Sequence, residues 1–189
     1  MYFYKLTQNG KTVFVTPSDE PILNPDYEEI TKEEYEAFTG APLPGTTLEE
    51  LKAAKLSELS EACNAAITAG CDVALADGAT GHISLTAEDQ TNLSTATQAV
   101  GQGAAGYPYH LDGQLCTMYP AADILAMAQA ATVHKLCHTT YYNHLAAWVR
   151  RCETAEEVSA ITYGAALPED LAVHMAGVLA AAGGDTDAV

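Results

Sequence analysis

Asp72-Val-Ala-Leu-Ala-Asp77-Gly78-Ala-Thr-Gly-His-Ile-Ser-Leu-Thr86-Ala-Glu-Asp89 and Tyr107-Pro-Tyr-His-Leu-Asp112-Gly113-Gln-Leu-Cys-Thr-Met-Tyr-Pro120-Ala-Ala-Asp123 carry one plan written twice. In each, Asp-Gly separates two strand-like runs, and Asp-Gly is a pair able to hold the two positive-φ positions of a tight hairpin turn. Each run then meets Thr86 or Pro120 with an Asp three residues on, a signal for a helix N-terminus. The expectation is two antiparallel hairpins, over 71–85 and 107–118, each feeding the helix that follows.

Upstream of the first repeat, Thr47-Leu-Glu-Glu50 is a capping box that opens a helix to Ala69, with Gly70 as its stop. Leu48, Leu51, Leu59, Cys63, Ala66 and Ile67 share one stripe of it, so it buries a single face. A helix follows the first hairpin over 86–100. The helix after Pro120 runs to about Arg151 with an apolar seam at Ile124, Met127, Ala131, His134, His138, Tyr141, Leu145, Trp148 and Cys152. That seam makes it the spine of the core and Trp148 a core anchor. Thr154-Ala-Glu-Glu157 and Pro168-Glu-Asp170 open two shorter helices, and the tail 183–189 has nothing to bury.

Before Thr47 the chain reads as a unit of its own. Asn9-Gly10 joins two strand-like runs, and Thr31-Lys-Glu-Glu34 caps a short helix ended by Gly40. Ala41-Pro-Leu-Pro-Gly45 continues neither helix nor strand and marks a boundary. The predicted class is therefore α+β: a unit at 1–44 of hairpin and short helix, a mainly helical body at 46–182 holding both hairpin–helix repeats, and a mobile tail. A hairpin with one helix buries too little to serve as core for the rest, so removal of 1–44 is expected to leave the body folded.

The 189 residues carry 8 Lys and Arg against 25 Asp and Glu, a net charge of −17. Such a surface argues against nucleic acid and anionic membranes, which bind through cationic groups, and suits a basic protein partner or simple solubility. Cys63, Cys71, Cys116, Cys137 and Cys152 form no C-x-x-C pair and read as small core residues in a reducing compartment. The first residues contain Lys, Gln and Asn where a signal peptide needs an apolar run, so the expected location is inside the cell.

Four chemical readings follow from the residues. Gly101-x-Gly103-x-x-Gly106 matches a dinucleotide fingerprint as a string, but it follows a helix and precedes a strand, the reverse of the required order. His134 and His138 stand one helical turn apart, with Cys137 and His144 near, which is metal-pair spacing without the intervening Glu or a supporting third ligand. Cys116, His110 and Asp112 share the second hairpin and would need to converge to act as nucleophile, base and orienting acid. Tyr2, Phe3, Tyr4, Phe14, Tyr107, Tyr109 and Tyr119 cluster on strands, and tyrosines in surplus favour protein interfaces. On balance no catalytic, cofactor or metal residue is assigned, and the expected activity is non-enzymatic.

Three stretches carry a resemblance: Gly81-His-Ile-Ser-Leu-Thr-Ala-Glu-Asp-Gln-Thr-Asn-Leu93, Pro108-Tyr-His-Leu-Asp-Gly113 and His134-Lys-Leu-Cys-His-Thr-Thr-Tyr-Tyr-Asn143. The segment from Leu51 to Leu179 resembles a domain of unknown function encoded in tail modules of bacteriophages and prophages. Tyr4-Lys-Leu6 and Ile30-Thr-Lys-Glu-Glu-Tyr35 resemble the N-terminal part of small tail-fibre-associated proteins, including tail-fibre assembly proteins. The resemblance implies a tail-associated structural or assembly protein, acting through contacts with other tail or fibre proteins or with its own copies, in the host cytoplasm during synthesis or in the virion tail. Two other classes compete: an acidic phage accessory protein inhibiting a host defence enzyme, and a metal-dependent enzyme using His134 and His138.

Overall fold

The computed structural model of the chain is an α+β fold and describes residues 2–39 and 47–182. It divides into two compact units, Met1–Lys55 with Cys152–Ala160, and Leu56–Arg151 with Ile161–Val189. The expected boundary at 41–45, the helix stop at Gly40 and the tail lie outside the described residues. The division between units falls inside a helix, between Lys55 and Leu56.

In the first unit, strands β1 (Tyr2–Gln8) and β2 (Lys11–Ser18) pair antiparallel through Asn9-Gly10, where φ is 52° and 77°. Both turn residues are left-handed, as a two-residue turn matched to strand twist requires. Strand β3 (Tyr27–Ile30) pairs on the other side of β1, giving the order β2-β1-β3. Helix α1 (Lys32–Thr39) starts at a reciprocal cap: the Thr31 amide donates to Glu34 (2.9 Å) and the Glu34 amide to Thr31 Oγ1 (3.1 Å). Tyr35 then stacks its ring 4.8 Å from that of Phe3. Helix α2 (Leu48–Ala69) starts at the equivalent Thr47–Glu50 box and passes from this unit into the next.

The second unit holds both repeats. The first is β4 (Cys71–Ala74), β5 (Thr80–Ile83) and α3 (Ala87–Gly101); the second is β6 (Gly106–Tyr109), β7 (Thr117–Pro120) and α4 (Ala121–Arg151). Each strand pair is antiparallel. Helix α5 (Ala155–Ala160), capped by Thr154 and Glu157, returns to the first unit, and α6 (Glu169–Ala181) closes the second. Ile83 and Leu85 from the first repeat and Tyr109, Leu111 and Tyr119 from the second meet Leu93, Ile124 and Met127 in one core. Fully burying each such side chain contributes about 1.5–3 kcal/mol, so the hairpins serve as much to deliver apolar groups as to pair strands.

The Asp-Gly turns differ from the expected form. Only Gly78 (φ 87°) and Gly113 (φ 72°) are left-handed; Asp77 and Asp112 are not, and residues 75–79 and 110–116 make loops longer than two residues. The aspartates are used for side-chain bonding instead. Asp77 accepts from the Ala79 amide at 2.9 Å, a local turn bond, while Asp112 reaches the other repeat.

The two helix starts also diverge. Thr86 and Asp89 form the expected capping box on α3. Asp123, its counterpart in the second repeat, is buried and accepts from the Ala76 amide in the first hairpin's loop at 2.8 Å. Asp123→Ala is expected to cost about 1–3 kcal/mol in denaturant unfolding, because it strands that amide; Asp77→Ala, at an exposed site, should cost well under half as much.

Helix α4 corrects the seam. Its first half buries a narrow stripe of Ile124, Met127 and Ala131. From Cys137 onward the buried set widens to include Thr140, Tyr141, His144, Leu145, Ala146 and Val149, where α6 packs on the helix and Cys63 of α2 bonds the His138 carbonyl. Trp148, expected as an anchor, is only half-buried, and its neighbour Val149 is the fully buried residue.

Candidate functional site

The aromatic strands of the first unit offer the largest exposed apolar side chains there. In the β1–β2 register, Leu6 faces Phe14 and Tyr4 faces Thr16, while on the other edge of β1 Leu6 faces Tyr27. Alternation puts Tyr2, Tyr4, Leu6, Phe14 and Tyr27 on one face of the sheet. Tyr4 is buried, Leu6 and Tyr27 are half-buried, and Tyr2 (38%) and Phe14 (50%) stand exposed. Strand β2 is the edge of this sheet, so the backbone groups on its outer side face no strand of the described chain. Aromatic rings beside a free strand edge are what peptide addition to a sheet uses.

In the second unit, polar residues concentrate at three joints. At the first, the Asp112 carboxylate accepts from the Ser84 amide (3.1 Å), from Ser84 Oγ (2.6 Å) and from His82 Nδ1 (2.9 Å), while its own amide donates to the His82 carbonyl (2.9 Å). Burial alone would raise this carboxyl; the hydrogen bonds from Ser84 and His82 outweigh it and hold Asp112 below the usual carboxylate range. Ser84 spends its proton on the carboxylate and not on an imidazole, so the trio lacks the serine-to-histidine step of a nucleophilic relay. It is a clasp between the two hairpins. Asp112→Ala should lower stability by about 1–2 kcal/mol, and the wild type should lose stability relative to the variant as acid protonates Asp112, since a carboxyl held below its usual range stabilises while ionised. A pH series of denaturant midpoints for both proteins checks this.

The proposed meeting of Cys116, His110 and Asp112 therefore takes another form: Asp112 engages the first hairpin, His110 stacks on Tyr109 with rings 5.5 Å apart, and Cys116 is exposed. The Gly101–Gly106 string is a helix-to-strand connection. α3 ends at Gly101, Gly103 takes φ 100°, and β6 starts at Gly106.

The second joint holds the seam histidines. His134 Nε2 bonds the Ala66 carbonyl of α2 at 3.0 Å, which fixes that nitrogen as a donor, and His138 Nδ1 pairs with the Tyr163 hydroxyl at 2.9 Å. The rings lie edge to face with centroids 4.4 Å apart. Burial, then the neighbouring His134, lowers the His138 pKa and so favours its neutral ring, while burial raises Tyr163. Cys63 Sγ donates to the His138 carbonyl at 3.4 Å, and burial pushes its thiol up. One ring nitrogen of each histidine is thus committed to a protein partner, and no group of three or more His, Cys, Asp or Glu suited to a metal gathers among the described residues.

The third joint, between α4 and α6, was not legible as a pair. His144 is buried, and its Nε2 lies 2.9 Å from Nδ1 of His174, thirty positions away. No spacing rule connects residues on separate helices. Arg151 and Asp170 bond at 2.6 Å beside them.

These joints define a small α+β domain built from two interlocked hairpin–helix repeats, held by side-chain bonds at hairpin and helix contacts. Residues 50–163 match the family model described as Domain of unknown function (DUF4376), which is more than half of the 189 residues, and the chain belongs to that family. The matched span contains both repeats and α5; the three-stranded sheet lies outside it. No protein of curated function and no solved structure matches the chain.

Proposed function

We propose that the protein is a bacteriophage tail-associated structural or tail-fibre assembly protein, working through protein contacts made by the three-stranded sheet. The observation that carries the reading is the pairing of exposed Phe14 and Tyr2 with the free edge of β2. The sheet stands outside the family-matched span, as expected for a contact element joined to a shared body. A net charge of −17 favours a basic patch on the partner and speeds encounter with it. The clasp at Asp112 and the committed seam histidines support a non-enzymatic role, since both clusters spend their chemistry on holding the fold. No helix among the described residues is long and apolar enough to cross a membrane.

Mass spectrometry of purified particles tests the role. Stoichiometric presence supports a baseplate or fibre-attachment component. Absence from particles together with binding to a fibre or tail gene product in infected lysate supports an assembly factor. Absence from particles without such binding overturns the reading and brings the defence-inhibitor class forward.

A further inference from the structure

The hydrogen bonds of the α4–α6 joint determine where its protons sit. His144 Nδ1 lies 2.7 Å from the Thr140 carbonyl, and a carbonyl only accepts, so this nitrogen carries hydrogen. In the neutral ring Nε2 is then a bare acceptor, and the 2.9 Å contact requires His174 Nδ1 to donate to it. The arrangement tolerates one added proton. It enters at His174 Nε2, leaves the donor in place and strengthens the bond by giving it charge.

A second proton has no such place. On His144 Nε2 it sets two N–H groups and two like charges against each other across 2.9 Å. The groups lining the cleft around the pair are Asn143, Ala147 and Arg151 from α4 and Asp170 and Leu171 from α6. Arg151 is a cation that opposes further positive charge, and Asp170, which would favour it, is already bonded to Arg151 at 2.6 Å. Beyond these bonds, α6 is held by Leu171, Met175 and Leu179 on its buried side.

We infer that the His144–His174 pair is an acid-sensitive latch on α6: it holds the helix against α4 with zero or one added proton and releases it with two. The closed joint takes the first proton at least as readily as the open one but excludes the second, so docking weakens as pH falls through the second protonation. Opening uncovers the Leu171, Met175 and Leu179 stripe, so this apolar surface is exposed to a partner more often in acid. The hydrogen bond from Arg151, with the attraction of its charge, holds the Asp170 carboxyl below the usual range, so the ion pair persists in mild acid and does not itself switch.

Hydrogen exchange of the full chain at about pH 7 and about pH 4.5, with rates corrected for intrinsic pH dependence, tests the latch. The expected result is a rise of roughly tenfold or more in corrected exchange over 171–182 in acid, equivalent to about 1.4 kcal/mol, with α3 unchanged. His174→Gln supplies the control. Its amide donates to neutral His144 and, turned over, accepts from the protonated ring, so α6 should stay protected at both pH values. Equal wild-type protection of α6 at both pH values overturns the inference, as does an equal acid response in His174→Gln. Nitrogen-15 shifts at neutral pH give a separate check: His144 must carry its proton on Nδ1, and a proton on Nε2 contradicts the latch.

Discussion

Gly70→Ala is expected to lower stability by about 4 kcal/mol or more, while Gly78→Ala lowers it by about 1–2 kcal/mol. Both glycines are left-handed, at φ 88° and 87°, so both substitutions carry the backbone cost of placing a Cβ there. They differ in surroundings. A Cβ on Gly78 meets nothing, whereas one on Gly70 drives into the Ile83 carbonyl and the Ser84 backbone. That backbone is not free to yield, because Ile83 is buried and pairs with Cys71, and Leu85 donates to the Thr68 carbonyl at 3.2 Å. Relieving the overlap means parting α2 from the first hairpin. Denaturant unfolding of the two variants decides it: equal losses would show that the turn alone, and not this close approach, requires Gly70.

Elements whose determinants are local in sequence emerged with nearly correct limits: the three Thr-x-x-Glu caps, Asn9-Gly10, and the hairpin-to-helix order of both repeats. Roles that depend on distant partners did not. Asp123 has the spacing of a local cap, yet its carboxylate serves Ala76, and Asp112 sits in a turn motif while binding His82 and Ser84. The seam of α4 is regular until a second neighbour covers the helix, after which periodicity no longer says which side is inside. His174 carries no local signal at all, since its meaning comes from His144 on another helix. The sequence shows the aromatic strands, but not that β1 is the central strand and β2 the edge, which separates buried Tyr4 from exposed Phe14 on the same face.

The largest functional effect is expected at that exposed ring. Removing residues 1–44 is a blunter test, because 47–55 and Cys152–Ala160 belong to the same compact unit and would lose their neighbours with it. Phe14→Asp, with Tyr2→Asp as a second variant, changes side chains that are half and more than a third exposed and leaves the backbone pairing of β1 with β2 in place. If the sheet is the contact, a charged group at its aromatic centre removes a ring of the kind that dominates interfaces and adds a desolvation cost, together about 2–4 kcal/mol or a thirty- to thousandfold loss of affinity. Circular dichroism and melting temperature should stay close to wild type. Co-purification of neighbouring tail gene products with tagged wild type and tagged Phe14→Asp is the direct measurement. The expected result is capture of a tail or fibre protein by the wild type and its loss from a folded Phe14→Asp variant; capture of no tail protein by the wild type, or equal capture by both, would contradict a contact role for the sheet.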